Sequence, residues 1–357
     1  MKFSYLKSYL LLFSTLLLAS CNTIKANPCA TDSIAETPTV PVNTTSSTVV
    51  STESSVFTIT LNFMGDCTLG TQLGADTLGR FNATAMTVNP KYFFDGVRDV
   101  LNEGTFNITN CEGVLTDNPL PEAYKDYSPA FWFKSSASNA RIFSENNINL
   151  VGIANNHIND YSDQGRLDTI KAIENNGILW SDNDKSVIIE NHDIKIAVFC
   201  VTLWNSHSQQ KICDEIINAK LSTDLQIVFF HGGTENIHKP DDYKIESAHA
   251  FVDAGADLVV GSHPHVLQPI ENYNGVNIVY SLGNFVYGGH LTPENRTIVY
   301  QHTFTFDDKF LRGSSETVYP CYIYTGDVNE YQPTLITDEH DKQTVLDFMY
   351  GKVDSPL

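Results

Sequence analysis

Five short segments of the sequence carry side chains that bind transition metals. Each one directly follows an apolar run and supplies a carboxylate, an amide or an imidazole. The segments are Gly65-Asp66, Asn110-Cys111-Glu112, Asn155-Asn156-His157, His231-Gly232-Gly233-Thr234-Glu235 and Gly261-Ser262-His263-Pro264-His265. Oxygen and nitrogen donors without a thiolate suit Mn²⁺, Fe or Zn²⁺ better than Ca²⁺ or a soft metal. A single segment would be a turn or a polar loop, but the five in succession predict a metal centre.

The apolar runs before these segments predict the strands that must position them. Phe57, Ile59, Leu61 and Phe63 alternate with polar residues, which is typical of a strand. Further strands are predicted at 107–111, 150–154, 194–201, 226–230, 258–260 and 276–280, and helices at 91–102, around 167–173 and from 242 to Gly255. From about residue 297 the signals favour sheet. Because ligand sites in α/β sheets gather at the carboxyl ends of strands, the five segments are expected to meet.

The first residues of the chain predict export rather than folded structure. Lys2 and Lys7 precede an apolar run at 10–18, and Leu18-Ala19-Ser20-Cys21 follows. That ending resembles the lipobox of bacterial lipoproteins, which implies a lipidated Cys21 and a protein held outside the cytoplasm on the cell membrane. An ordinary cleaved signal with a chance cysteine is the alternative. We expect a signal peptide at 1–20, a Ser/Thr-rich tether at 21–55 and one domain at 56–357, with its core motifs in 63–290.

The charge balance excludes one class of partner. The chain has 42 acidic and 22 basic residues, a formal net charge of -20. Such a surface repels nucleic acid, so a nucleic-acid binder is excluded. The same charge would repel a polyanionic polymer unless a basic residue or a metal ion intervened.

The cysteines do not predict a metal site. There is no Cys-x-x-Cys, so a thiolate zinc site is not expected. Cys67 and Cys111 adjoin the candidate ligands, but neighbouring residues of a strand point to opposite faces. Burial, or a disulfide between these two cysteines, is expected instead.

The order of the metal-binding residues resembles that of the calcineurin-like metallophosphoesterases. The details resemble one branch of them, the CapA or poly-γ-glutamate capsule-synthesis family. The resembling stretches cover about residues 56–290: Met64-Gly65-Asp66, Asn110-Cys111-Glu112-Gly113, Ala154-Asn155-Asn156-His157 with Asp160, His231-Gly232-Gly233-Thr234-Glu235, Ala254-Gly255-Ala256-Asp257, Gly261-Ser262-His263-Pro264-His265-Val266-Leu267-Gln268 and Tyr280-Ser281-Leu282-Gly283-Asn284-Phe285. The resemblance implies an α/β fold with a central β-sandwich flanked by helices.

The resemblance also implies a role for each residue. Asp66 and His265 would hold one Mn, Fe or Zn ion, Glu112 would bridge, and a second ion would be held by Asn156, His231 and His263. His157 would be the general acid. Asp160 and Glu235 would assist catalysis by orienting imidazoles, with solvated acids as the alternative, and Asn284 would contact the substrate.

Two residues depart from the usual phosphoesterase pattern. Thr68 stands where an Asp-x-His motif would place an imidazole, and Glu112 is longer than the usual aspartate. The CapA branch shares both features. One tight and one weak metal ion is therefore compatible with the sequence.

Several functions remain open at this stage. The ligand set favours a hydrolase of a phosphoester or of an amide link in a cell-surface polymer. The resemblance favours a role in making, exporting or anchoring an anionic polymer beside membrane-bound synthase or export proteins, with or without catalysis. A phosphoesterase unrelated to capsule, and a surface lipoprotein that keeps only the fold, are also compatible with the sequence.

Overall fold

The computed structural model describes residues 55–72, 80–203, 206–290 and 292–357. The predicted signal peptide, Cys21 and residues 22–54 of the predicted tether lie outside these ranges, so what was expected of them stays a prediction. No helix within the described ranges combines the length and apolar character needed to cross a membrane.

The strands of the described residues form two large sheets and one small sheet. In chain order they are β1 (Val56–Thr68), β2 (Thr71–Gln72), β3 (Phe106–Cys111), β4 (Val114–Leu115), β5 (Phe133–Ser135), β6 (Ile148–Gly152), β7 (Leu179–Ser181), β8 (Val187–Asn191), β9 (Ile194–Thr202), β10 (Leu225–His231), β11 (Leu258–Ser262), β12 (Leu267–Tyr273), β13 (Val276–Leu282), β14 (Asn284–Tyr287), β15 (Thr297–Asp307), β16 (Phe310–Tyr322) and β17 (Thr334–Leu335). The first sheet has the order β17-β16-β15-β1-β3-β6-β7, with β14 paired to β1. The second has the order β12-β13-β11-β10-β9-β8, and the small sheet has the order β2-β5-β4.

The helices of the described residues pack around the two large sheets. They are α1 (Arg80–Thr87), α2 (Arg98–Glu103), α3 (Arg141–Ser144), α4 (Ser162–Asn175), α5 (Ser206–Ala219), α6 (Asp242–Ala254) and α7 (Glu339–Met349), with 3₁₀ helices at Pro90–Val97 and Ala137–Ala140.

The main hydrophobic core lies between the two large sheets. Leu61 and Phe63 of β1 belong to the same buried cluster as Val198 of β9 and Ile227 of β10. The rings of Phe63 and Phe229 meet edge to face, with centroids 5.8 Å apart. The alternation of side chains along β1 explains this contact, because every second residue faces the partner sheet.

Two further cores lie between the sheets and the helices. Met64 of β1 and Val151 of β6 pack with Phe93, Phe143 and Ile173 on the outer face of the first sheet. On the second sheet, Val228, Val259, Phe251 of α6 and Ile216 of α5 form the corresponding cluster. The layers are therefore helices, sheet, sheet and helices, which confirms the predicted α/β fold with a central β-sandwich flanked by helices.

Helices α1 and α5 are not predicted from the sequence, and two further elements differ from the sequence-based expectation. The helix predicted at 91–102 is a 3₁₀ helix followed by α2, because the backbone at Val97 leaves the helical region at φ -130° and ψ 9°. The predicted sheet-rich C-terminal part also contains α7. Its N-terminus is capped by the Asp338 side chain, which accepts the backbone N–H groups of His340 and Asp341.

The cysteines within the described residues are buried and free: Cys67, Cys111, Cys200, Cys213 and Cys321. Of the two alternatives for Cys67 and Cys111, burial is the one found. Burial raises the pKa of the Cys67 thiol to about 12, and it raises the pKa of Cys111 as well. Both sulfurs are therefore protonated thiols at neutral pH.

The strands that precede the five candidate ligand segments run parallel within each sheet. β3 pairs in parallel with β1 and β6 in the first sheet, and β10 pairs in parallel with β9 and β11 in the second. Their carboxyl ends therefore lie at a common edge, where the loops of both sheets approach each other.

Candidate metal centre

Three groups of donor atoms overlap at this edge, and two of them share one carboxylate. The first group is Asp66, Glu112 and His265, and the second group is Glu112, His231 and His263. Within each group the donor atoms lie within 4.8 Å of one another. Asn156 adjoins the second group, since its Oδ1 atom is 2.8 Å from His231 Nε2. The structure thus brings together the residues predicted to hold two ions, and a further group of Glu235, His263 and His265 joins one histidine predicted for each ion.

Asp66 provides a fixed carboxylate at the end of β1. Its Oδ1 atom accepts a hydrogen bond of 2.7 Å from the Asn110 side chain, and its Oδ2 atom accepts one of 3.0 Å from the backbone N–H of His263. Burial by itself would raise the pKa of Asp66, but the nearby imidazoles of His231 and His265 and the Asn110 hydrogen bond hold this pKa well below its usual range. Asp66 is therefore a buried anion, and a buried anion is suited to bind a cation.

Glu112 has the environment expected of a bridging ligand. Its Oε2 atom accepts a hydrogen bond of 2.8 Å from Thr68 Oγ1. Its Oε1 atom is buried and has no hydrogen-bond partner among the described residues. The nearest imidazole nitrogens are His231 Nε2 at 3.7 Å and the Nε2 atoms of His157 and His265 at 4.0 Å.

These distances fit a cation better than they fit hydrogen bonds. A hydrogen bond to a carboxylate oxygen needs a separation below about 3.2 Å. Two atoms that each lie about 2.1 Å from one ion can be up to about 4.2 Å apart. A buried carboxylate oxygen without a partner is costly, and a divalent ion beside Glu112 would remove that cost. The residues present therefore fit a metal centre.

The histidines of the second group contact one another, and His263 stays neutral. His263 Nδ1 lies 3.1 Å from His231 Nε2, and His231 Nδ1 lies 3.1 Å from Ser262 Oγ. Burial first, and then the neighbouring His231 and His265, hold the pKa of His263 well below 6.5. A neutral imidazole is the form that ligates metals.

The backbone at His263 and His265 is strained. His263 has a φ of 97° and His265 a φ of 60°, in the left-handed region that residues with a side chain seldom adopt. Such strain persists where the surrounding structure holds it, and it concentrates at functional sites. Here it turns two imidazoles of one His-Pro-His segment toward the same centre.

His157 lies beside the two groups, and Asp160 contacts its Nδ1 atom. His157 Nδ1 is 2.7 Å from Asp160 Oδ2, and the His157 ring packs on Phe133 with centroids 4.5 Å apart. Asp160 is only 1% exposed. It therefore orients an imidazole, and the alternative of a solvated acid does not apply.

Lys125 is a residue of this site that the sequence did not reveal. Its Nζ atom lies 2.5 Å from Asp160 Oδ1; the Asp160 side chain is buried and the Lys125 side chain is 9% exposed. Asp160 Oδ2 also accepts the backbone N–H of Phe133 at 2.8 Å. Lys125 lies in a segment without helix or strand, 35 positions before Asp160, so neither spacing nor periodicity connects them.

The other two predicted site residues line the opening of the centre. The opening is a cavity of about 320 Å³, and the residues that border it include Phe131, His157, Glu235, Asn284, Tyr287 and Glu294. Asn284 Oδ1 lies 2.9 Å from His265 Nδ1, so Asn284 positions this imidazole in addition to facing the cavity. Glu235 is exposed, and its carboxylate lies within 4.8 Å of nitrogen atoms of His263 and His265.

Comparison with known proteins gives the family. Residues 60–288 match the model of the family described as bacterial capsule synthesis protein PGA_cap. The chain is 29% identical over 258 residues to a protein of Bacillus subtilis (strain 168) named PGA biosynthesis protein CapA, covering 64% of this chain and 63% of the relative. It is 25% identical over 273 residues to the capsule biosynthesis protein CapA of Bacillus anthracis, covering 68% and 64%.

Two more distant similarities were found. A probable polyglutamine synthesis accessory protein of Mycobacterium tuberculosis is 26% identical over 178 residues, covering 40% of this chain and 47% of the relative. A crystal structure of the protein TT1561 of Thermus thermophilus is 12% identical, with a TM-score of 0.40, covering 72% of this chain and 99% of that one.

The extent of the family match settles membership. The chain spans less than two thirds of the length of the two Bacillus relatives. The family model, in contrast, matches well over half of this chain and includes every candidate ligand from Asp66 to His265. The chain therefore belongs to the bacterial capsule synthesis protein family PGA_cap.

Proposed function

We propose that this chain is a metal-dependent hydrolase that acts in the synthesis or export of an anionic surface polymer. One observation carries the hydrolase part: the buried Glu112 Oε1 atom without a hydrogen-bond partner among the described residues, with three imidazole nitrogens 3.7–4.0 Å away. A bound Mn, Fe or Zn ion would lower the pKa of a water molecule toward neutrality and would polarise the bond to be cleaved. The residues that would hold one or two such ions are Asp66, Glu112, Asn156, His231, His263 and His265.

The remaining polar residues would handle the proton. His157 faces the opening of the centre, and Asp160 keeps its Nδ1 atom engaged at 2.7 Å. The Nε2 atom on the other side of the ring is then the one that can give a proton to the leaving oxygen or nitrogen. Lys125, on the far oxygen of Asp160, fixes the carboxylate that orients His157.

Family membership and the names of the relatives support the capsule part. Two relatives are named for PGA or capsule biosynthesis. The net charge of -20 and the acidic Glu235 and Glu294 at the opening disfavour broad binding of a polyanion. The polymer would therefore be contacted locally, through the metal ions, and a membrane-bound synthase or exporter would deliver it.

The N-terminal segment supports attachment to the membrane. We propose that Cys21 is lipidated after removal of residues 1–20, with the polar segment up to residue 55 as a tether. Mass spectrometry of the N-terminal peptide tests this. A diacylglyceryl adduct on Cys21 is expected, and an N-terminus elsewhere without lipid would contradict it.

A screen for hydrolysis tests the enzymatic proposal. The purified protein, loaded in turn with Mn²⁺, Fe²⁺ or Zn²⁺, is assayed on phosphoesters and on γ-glutamyl amides, including poly-γ-glutamate whose chain length is followed on a gel. We expect turnover of at least one class, lost on chelation and restored by the metal. Stoichiometric metal without turnover of either class would leave a non-catalytic accessory role, which the name of the Mycobacterium relative also suggests.

A further inference from the structure

The loop after β10 holds Glu235 beside His263 and His265. The backbone N–H of Asn236 donates to the carbonyl oxygen of Pro264 at 2.8 Å, between His263 and His265 in sequence. On the other side of Glu235, the backbone N–H and hydroxyl of Thr234 donate to Asp241 at 2.8 and 2.7 Å. The backbone on either side of Glu235 is therefore fixed, and only its side chain retains freedom.

That side chain is within reach of a shared ion. A carboxylate oxygen of Glu235 and one ring nitrogen each of His263 and His265 lie within 4.8 Å of one another. Two ligands of one ion can be about 4.2 Å apart at most. Because the Glu235 side chain is exposed, a rotation of its outer bonds closes the remaining gap at little cost.

The first group has room for another protein ligand beside a water molecule. It contains Asp66, Glu112 and His265, and transition metals in proteins take four or more ligands. Thr68 does not supply one, because its hydroxyl is engaged with Glu112 Oε2 at 2.8 Å. The position that an imidazole would take in an Asp-x-His motif is thus not filled from β1.

We propose that Glu235 is a direct metal ligand, which adds a carboxylate to the coordination of the ion held by His265 and takes the place of the imidazole that Thr68 cannot provide. This role differs from orienting an imidazole, since it puts a third carboxylate beside the ions. It also places one ligand on the exposed loop at the opening of the centre. The proposal rests on the metal centre proposed above.

Metal titration of three variants tests the proposal. In Glu235→Gln the charge is lost, whereas in Glu235→Asp the charge stays but the carboxylate is withdrawn by one methylene. Glu294→Gln is the matched control, because it removes the same charge from the same opening and Glu294 pairs with His238 at 3.1 Å rather than with a candidate ligand. Affinity for Zn²⁺ or Mn²⁺ is measured by calorimetry, and the Co²⁺-loaded forms are compared by visible and X-ray absorption.

The expected pattern is specific to direct ligation. Glu235→Gln and Glu235→Asp should both weaken the binding of one ion by more than about 100-fold, the upper end of the range for residues that only support a ligand, while Glu294→Gln binds metal like the wild type. The Co²⁺ spectra of both Glu235 variants should differ from the wild-type spectrum, because a water molecule would replace the carboxylate. Wild-type affinity and an unchanged Co²⁺ spectrum in Glu235→Gln would overturn the proposal.

Further results of the same titration separate this proposal from the metal centre itself. Equal weakening in Glu235→Gln and Glu294→Gln, with Glu235→Asp unaffected, would show a long-range effect of charge and would also overturn direct ligation. If the wild type binds no metal after reconstitution, the metal centre itself is wrong. If the wild type binds metal and the Glu235 variants match it, only the role of Glu235 is wrong.

Discussion

Replacing both His263 and His265 by alanine should leave the purified protein without stoichiometric transition metal. His265 belongs to the first group and His263 to the second, so the double variant removes one imidazole from each ion. The remaining donors, Asp66 and Glu112 among them, would be too few to hold either ion in competition with water. Plasma mass spectrometry of the wild type and the variant measures the difference directly.

A second readout shows whether the metal supports the fold. Ions bound to the native state alone stabilise it by about 2.7 kcal/mol at a concentration of 100 Kd. Added metal should therefore raise the melting temperature of the wild type, and leave that of the His263→Ala/His265→Ala variant unchanged. The control is His249→Ala/His340→Ala, which also removes two imidazoles. His249 pairs with Glu271, and His340 lies in the first turn of α7, so neither is a candidate ligand. Loss of metal in both double variants, or in neither, would contradict the assignment.

The fold and the cluster of candidate ligands were largely readable from the sequence because both depend on local patterns. Alternation along β1 and the apolar runs of β10 and β11 predict strands wherever they occur. Parallel strands bring their carboxyl ends to one edge, so the residues that follow them had to converge. Asp66, Glu112 and the histidines were predicted on that basis and meet at that edge.

The contacts around the ligands were not readable, since they depend on how distant segments pack. The ion pair of Lys125 with Asp160 joins a loop without regular structure to the turn after β6, and no spacing rule predicts it. The contact of Thr68 with Glu112 joins β1 to the end of β3 across 44 positions. This contact accounts for a departure from the usual pattern: Thr68, which stands in place of an imidazole, orients the carboxylate of Glu112.

One missed element did leave a signal. Asp338 precedes Glu339 and Asp341 in the first turn of α7, and Val345, Phe348 and Met349 follow at helical spacing and are buried. The β-branched and aromatic residues that precede it, from β15 to β17, favoured sheet for the whole C-terminal part. A capping residue three positions from an acidic one was the better local evidence.

Replacing His157 by alanine should abolish most turnover and leave the metal in place. His157 is not a member of either ligand group, and its Nε2 atom is 4.0 Å from Glu112 Oε1. Loss of a positioned general acid costs about 10²–10⁴-fold in rate. We therefore expect kcat to fall by that factor on whichever substrate the wild type cleaves, with metal content and KM close to those of the wild type.

The variants Asp160→Asn and Lys125→Met distinguish proton transfer from general disruption. An amide at 160 still contacts His157 Nδ1 but no longer offers a carboxylate to it or to Lys125, so turnover should fall by less than in His157→Ala. Lys125→Met leaves the contact between Asp160 and His157 in place, so turnover should fall least in this variant. A His157→Ala variant that keeps wild-type turnover would exclude the general-acid role. One that loses its metal would instead make His157 a ligand, and the 4.0 Å that separates it from Glu112 would then be a ligand-to-ligand distance.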